Sequence, residues 1–450
     1  MNKLWHTQGR RFWLLVIALF GAWMAVASAG TPDSDELRLV IVLSRHGVRS
    51  PTAEPGTLDV YSKQAWPSWP VAPGYLTPHG KQLMRIMGHW YRDYYGQAGW
   101  LPAQGCADAG KTFVVADDEE RTMESAHGLM EGFLPGCNVT IHASTKDSAT
   151  ALFSHSSTQV SDADRATALA AVLGRIGGDP KHLVQANESA LATMQSVLWG
   201  CTSDPCAPAA TDGKKLLLQQ DSAIGPGKGD SLVTIKSPLH NASTFAENFA
   251  LEYTEGMPMF QVAWGRLSPL ELGQLLALHT SYSDISLRTS PIARAYAGNL
   301  ATAILATLKQ AASDKPLDQA AGDPAEHLVF LVGHDTNITT LAGMLNLHWM
   351  IGEQPTDPTS TGGALVFELR HNRATGADKV RVYYVSQTME QMRNSTALSL
   401  QNPPQKVPVF VPGCSDTTPG FDCPLGQFDQ IVTQALSVGS VADHGASSTH

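Results

Sequence analysis

The feature that most constrains this chain is residues 37–44, LRLVIVLS, an almost unbroken aliphatic run that stops at Arg45-His46-Gly47. Strands with one wet face alternate apolar and polar residues, whereas strands covered on both faces of a parallel sheet read as continuous hydrophobic runs. The run therefore predicts a central strand of an α/β domain. Its end sets two basic side chains beside each other at a strand terminus.

The pattern recurs. Thr77 and Pro78 have the chemistry of a helix start, and Leu83, Ile86, Met87, Trp90 and Tyr94 then fall on one helical face. Residues 112–116 are a short β-branched run leading through an acidic turn that holds Arg121 into a helical stretch at 123–130. Residues 327–332 form a third apolar run, followed by Gly333-His334-Asp335-Thr336 and a helical spacing of Ile338, Leu341, Ala342 and Leu345. Three strand ends thus carry arginine, histidine and aspartate. In open α/β sheets the ligand crevice lies outside the carboxyl ends of the strands, which lets residues distant in sequence converge.

Between these runs the texture changes. Residues 151–279 are Ala- and Leu-rich segments broken by Gly and Pro, which predicts a mainly helical insertion domain. Residues 364–369 and 380–385 flank a polar, Gly-containing turn, as in an antiparallel hairpin. The expected plan is a discontinuous α/β catalytic domain at 30–150 plus 280–437, the insertion at 151–279, and a frayed tail at 438–450. Residues 1–29 read as a secretory signal: Lys3, Arg10 and Arg11, an apolar stretch, then Ala27-Ser28-Ala29. That stretch is short for a bilayer span, so export with cleavage is expected, with no membrane association afterwards. The destination is the periplasm or the outside of the cell.

The formal net charge is −10, and removal of the basic leader makes the chain more acidic still. Nucleic-acid binding is excluded as an expectation. An anionic substrate must be drawn in by a local cationic cluster. The six cysteines fall as sequential pairs, Cys106 with Cys137, Cys201 with Cys206, and Cys414 with Cys423. Short loops favour that pairing, although six cysteines allow 15 connectivities. No cysteine spacing suits zinc.

The sharpest chemistry lies in Arg45-His46-Gly47-Val48-Arg49-Ser50-Pro51-Thr52. Guanidinium forks match phosphate oxygens at any working pH, and a neutral imidazole nitrogen can attack phosphorus. Gly47 is expected to let the backbone turn closely around the anion. This octapeptide, with Trp66-Pro67-Ser68-Trp69-Pro70-Val71, Gly74-Tyr75-Leu76-Thr77-Pro78 and Gly333-His334-Asp335-Thr336-Asn337, resembles the histidine acid phosphatases of the histidine phosphatase superfamily, near the bacterial phytases. The likeness covers nearly the whole chain past the leader. Relatives of this kind often carry a fourth disulfide, which six cysteines cannot supply.

The resemblance implies a phosphoglycerate-mutase-like, mixed and largely parallel sheet flanked by helices. It implies His46 as the nucleophile, Asp335 as proton donor, and a phosphate pocket of Arg45, Arg49, Thr52, Arg121 and His334. No metal or other cofactor is required, and the partner is a small phosphate monoester. Glu247, Met257 and Trp264 match positions lining the family's outer substrate pocket. Arg121 also has a plainer reading as the ion-pair partner of the acidic run at 117–120. Ala53 stands where phytases usually have lysine, and residues 253–266 also resemble the glucose-1-phosphatase branch. Broad acid phosphatase activity including phytate is the expectation, with a sugar phosphatase as the alternative. A non-catalytic phosphate-ester binder is a weaker alternative, because it has no use for Asp335. Oligomeric state is expected to be monomeric.

Overall fold

The computed structural model describes residues 35–102, 104–145, 151–154, 160–202, 206 and 213–437; the expected leader and tail lie outside them. The first half of the chain forms β1 (Asp35–Arg45), α1 (Pro78–Gln97), β2 (Thr112–Asp117), α2 (Glu120–Phe133) and β3 (Ile141–Ser144). A helical region follows: α3 (Asp162–Arg175), α4 (Lys181–Ala186), α5 (Glu188–Trp199), the short pair β4 (Ala223–Pro226) and β5 (Val233–Lys236), α6 (Pro238–Thr254) and α7 (Pro269–Ser286). The chain then returns as α8 (Ser290–Ser313), β6 (Leu328–Gly333), α9 (Asp335–Leu345), β7 (Ala364–Asn372) and β8 (Ala377–Ser386). It ends with α10 (Met389–Arg393), β9 (Gln405–Pro408), β10 (Cys423–Pro424) and α11 (Leu425–Ser437).

The main sheet is mixed, in the order β10-β8-β7-β1-β6-β2-β3, with β9 also on β8. Strands β1, β6, β2 and β3 run parallel, and β6 slots between β1 and β2. Register pairs Arg45 with Gly333, and Ala116 with Val332. The carboxyl ends of β1, β6 and β2 therefore stop level with one another.

The aliphatic run of β1 serves two cores at once. Leu39, Ile41 and Leu43 pack toward α8 and α9, with Leu300, Ile304 and Leu341. Val40 and Val42 face the other way, toward Met84, Met87 and Trp90 of α1 and Phe133 of α2. This double burial explains why no polar residue interrupts the strand between Arg38 and Ser44. Helices α1 and α2 touch through backbone: a Cβ on Gly88 would lie 2.0 Å from Leu129 O, and one on Gly132 1.9 Å from Arg85 O. Only glycine permits that approach, and it sets α2 so that Arg121 stands beside the end of β1.

Two boundaries differ from expectation. Helix α2 starts at Glu120, which puts Arg121 in its first turn and not in a loop before it. Acidic side chains suit the positive end of a helix, so the run at 117–120 begins the helix where it was expected to delay it. The limit at 279 falls inside α7, whose Ser268 cap and Pro269 start commit the chain to helix through Ser286. A separate core forms around Leu191, Met194, Phe245 and Phe249, and Trp66 and Ile292 from outside 151–279 pack into it. The disulfides join Cys106 to Cys137, Cys201 to Cys206, and Cys414 to Cys423, the short-loop pairing. Among the described residues no helix is long and apolar enough to cross a membrane.

Candidate active site

His46 follows directly on β1, and its backbone is pinned from both sides. Its N–H donates to Gly333 O at 2.9 Å, and its carbonyl accepts from Gly362 N at 2.9 Å. The side chain is 1 % exposed. Nδ1 lies 2.8 Å from Gly47 O. A carbonyl only accepts, so Nδ1 carries the proton and Nε2 keeps its lone pair. Burial, followed by the charges of Arg45, Arg49 and His334, holds the imidazole well below its ordinary pKa and hence neutral.

Gly47 has a different reason from the one expected. Its φ is not left-handed; a Cβ there would lie 2.9 Å from Gly80 O and 3.0 Å from Met84 Cγ. The glycine seats the site loop on the start of α1, and its N–H donates to Ser125 Oγ at 2.8 Å. Ser125 Oγ in turn donates to Arg121 O at 2.6 Å, so α2 is tied to the nucleophile's loop.

Three guanidinium groups converge here. Arg45 is buried and donates through Nη1 to Thr359 O at 2.7 Å, while its Nη2 pairs with Glu247. Arg49 donates to Ser50 O at 2.9 Å and reaches Glu247 Oε2 at 3.4 Å. Arg121 pairs with Glu119, and its Nη2 lies 3.4 Å from His334 Nδ1. Arg121 thus makes the ion pair of the plainer reading and also stands beside His334. All three arginines leave a buried Nε–H without a partner. Burial raises the pKa of Glu247, but Arg49, Arg45 and His279 outweigh it and keep the carboxylate ionised.

His334 and Asp335 sit where β6 hands over to α9. His334 Nε2 donates to Asp117 Oδ2 at 2.6 Å, leaving Nδ1 to accept from Arg121. Its ring stands edge-on to His46, 5.6 Å between centroids. Asp335 Oδ1 accepts from Thr336 N at 2.9 Å, and Oδ2 lies 3.6 Å from Arg45 Nη2 and 3.8 Å from His279 Nε2. Burial pushes the Asp335 carboxyl up and Glu247 adds to that, yet Arg45, His279 and Arg49 leave it below the ordinary carboxylate value.

The remaining candidates separate. Thr52 is exposed, and its Cγ2 and Arg121 Nη1 each lie 3.6 Å from where a Cβ would stand on Gly74, which places it at the rim. Glu247 is in the pocket. Met257 is not brought there: it is 8 % exposed, belongs to the insertion's core, and its carbonyl accepts from Arg393 at 2.7 Å. Trp264 joins an aromatic cluster with Trp66 and Phe249, its Nε1 donating to Ala65 O at 2.9 Å.

Sequence reasoning missed His279, Ser125 and the part of Asp117 in holding His334. Asp117 ends a strand level with His334, so strand-end position was a usable signal; His279, in mid-helix, offered none. Two triads have ligand atoms close enough to share a cation, Asp117-Glu119-His334 and Glu247-His279-Asp335. In each, an arginine already holds a carboxylate that a metal would need: Arg121 on Glu119, Arg45 on Glu247.

An imidazole with a free lone pair, ringed by arginines at the carboxyl edge of a mixed α/β sheet, defines a phosphate-handling enzyme. The family "Histidine phosphatase superfamily (branch 2)" matches residues 36–385, and the chain belongs to it. It is a phosphoric monoester hydrolase of the histidine acid phosphatase type. It is 32 % identical over 414 residues to phytase AppA of Escherichia coli strain K12, covering 91 % of this chain and 94 % of that one. It is 31 % identical over 434 residues to the glucose-1-phosphatase of Salmonella typhimurium, covering 94 % and 98 %. Among solved structures, Hafnia alvei phytase in complex with myo-inositol hexakis sulphate superposes with a TM-score of 0.77 at 34 % identity, over 90 % of this chain and 98 % of that one.

Proposed function

We propose that the protein hydrolyses phosphate monoesters, phytate among them, by way of a phosphohistidine on His46 Nε2. The observation that carries this reading is the lone pair on Nε2, fixed by the Nδ1–Gly47 O bond, among three arginines whose buried Nε–H groups lack partners. In the first step Nε2 attacks phosphorus, the P–O ester bond breaks, and the proton on Asp335 Oδ2 passes to the leaving oxygen. Arg45, Arg49 and Arg121 stabilise the charge spreading over the phosphoryl oxygens, with His334 and Thr52 at its edge. In the second step water attacks the phosphoryl group, its proton goes to the Asp335 carboxylate, and the P–N bond breaks. Phosphate leaves and His46 returns neutral.

The free site keeps Asp335 ionised through its cationic neighbours. A bound phosphoryl group engages those arginines and adds negative charge, which raises the carboxyl's pKa and readies it as an acid. Above that raised value the protonated fraction falls tenfold per pH unit, so turnover favours acid. Likeness to phytase AppA and the phytase structures supports phytate. Ala53, half-buried at the rim, supplies no second cation, which favours esters with one charged group and keeps the sugar-phosphate reading beside it. Export, a periplasmic or extracellular location and a monomeric state are further parts of the proposal; the three disulfides support an oxidising compartment.

The deciding experiment is an alkaline quench during turnover of labelled phosphate ester, followed by peptide mapping. A base-stable, acid-labile label on His46 is expected. Label elsewhere, or none with hydrolysis intact, overturns the mechanism. Parallel rates on phytate, glucose 1-phosphate and an aryl phosphate assign the substrate class.

A further inference from the structure

We propose that His279 is a positioning residue for Asp335, supplying the N–H that stabilises the carboxylate formed when the proton leaves. The inference rests on the proton-donor reading of Asp335 and deepens it.

His279 lies in α7 and turns toward Asp335 a side chain that is 17 % exposed. Its Nδ1 lies 3.0 Å from Ser243 Oγ on α6. A serine hydroxyl that donates to Nδ1 leaves the proton on Nε2. That Nε2 is buried and has no hydrogen-bond partner. A buried polar nitrogen left unpaired is costly, so the arrangement waits for a partner. An acceptor, Asp335 Oδ2, lies 3.8 Å away. A shift of roughly 1 Å brings the pair to hydrogen-bond length.

The demand for that bond arises during reaction. Asp335 Oδ1 is already committed to Thr336 N, so Oδ2 is the oxygen that carries the transferable proton. A cation also stands close to it, Arg45, whose Nη2 is 3.6 Å away. Arg45 must turn to the phosphoryl group as charge builds there, at the moment Oδ2 becomes negative. Glu247, on α6, faces the same space with like charge, and Arg49 is engaged with Glu247 and the phosphate. Of the groups facing Oδ2, His279 is the donor left free to answer the new charge. In the water step the same bond holds the carboxylate oriented as base.

The test uses the full-length protein and the ratio of kcat/KM on an alkyl phosphate to that on 4-nitrophenyl phosphate, whose good leaving group needs little protonation. His279→Ala is expected to lower the alkyl value by about 10- to 100-fold and the aryl value by no more than about threefold. His279→Gln, which keeps a side-chain N–H, is expected to restore most of the ratio. In an Asp335→Asn background, adding His279→Ala should move the ratio less than about twofold, because the two residues act as one unit. Equal losses on both esters, no rescue by glutamine, or full additivity with Asp335→Asn overturns the proposal. If the alanine variant does not fold, Ser243→Ala reads the same ratio, expected to shift in the same direction by a few-fold; an unchanged ratio counts against it. Failure of the proton-donor reading looks different: the Asp335→Asn enzyme would then hydrolyse the alkyl ester as fast as the unaltered protein.

Discussion

The site has two walls built in different ways. The phosphate wall, Arg45, His46, Arg49, Arg121 and His334, hangs on the carboxyl ends of three adjacent parallel strands. The facing wall, Glu247 and His279, comes from two long helices, α6 and α7. The first is fixed by sheet register and by backbone bonds such as His46 N–H to Gly333 O. The second is fixed by packing inside a separate core. On the proposed mechanism, strand ends define what the enzyme does to phosphorus, while helix packing tunes proton delivery and access.

If that division is right, damage to the phosphate wall must abolish chemistry outright. His46→Ala is expected to cut kcat by on the order of 10⁴-fold or more on every ester and to eliminate the labelled phosphoenzyme. Residual turnover on one ester only would break the division. Asp335→Asn, at the junction of the walls, should cost about 10²- to 10⁴-fold on alkyl esters and much less on activated aryl esters. Arg121→Ala removes one donor from the pocket and is expected to lower kcat by about 10²-fold, with the protein's melting temperature little changed since its ion-pair partner Glu119 is exposed.

The same contrast explains what was legible in the sequence. Residues 39–43 had no polar interruption because both faces of β1 are covered, so strand, sheet and the position of His46 followed from one run. His334 and Asp335 were legible for the same reason, as the end of β6. Met257 was not: mid-chain in helical, apolar surroundings, a side chain facing a pocket and one facing a core have the same spacing, and this one faces the core. Gly47 shows a second kind of limit. Its presence was legible but its cause was not, because contact with Gly80 O depends on where α1 packs.

The insertion wall should give smaller and more specific effects. Glu247 holds Arg45 and Arg49 when no phosphate is bound. Glu247→Gln removes this competing charge, and inorganic phosphate is expected to bind several-fold more tightly, read as a lower inhibition constant. An unchanged constant would mean that the carboxylate does not compete with the ligand.

The smallest effect on turnover at acid pH, and the most selective one on the insertion, is expected at Glu252 in the same helix as Glu247. Its side chain is 1 % exposed; Oε2 accepts from Ala263 N at 2.9 Å and Oε1 has no partner. The bond holds a strained turn, for Ala263 and Trp264 have φ of 47° and 57°. Burial pushes this carboxyl from 4.5 up to about 8. A folded-state pKa above the unfolded one means the native state binds the extra proton. The stabilisation is complete below about pH 4.5 and is lost as pH rises toward 8, at no more than about 1.4 kcal/mol per pH unit. Glu252→Gln keeps the shape without the charge, so its melting temperature is expected to fall less than the unaltered protein's between pH 5 and 8, while kcat at pH 5 is unaffected. Parallel melting curves for the two proteins across that range would show instead that Glu252 stays unprotonated in the fold, and that the acid preference of the enzyme owes nothing to the helical wall's stability.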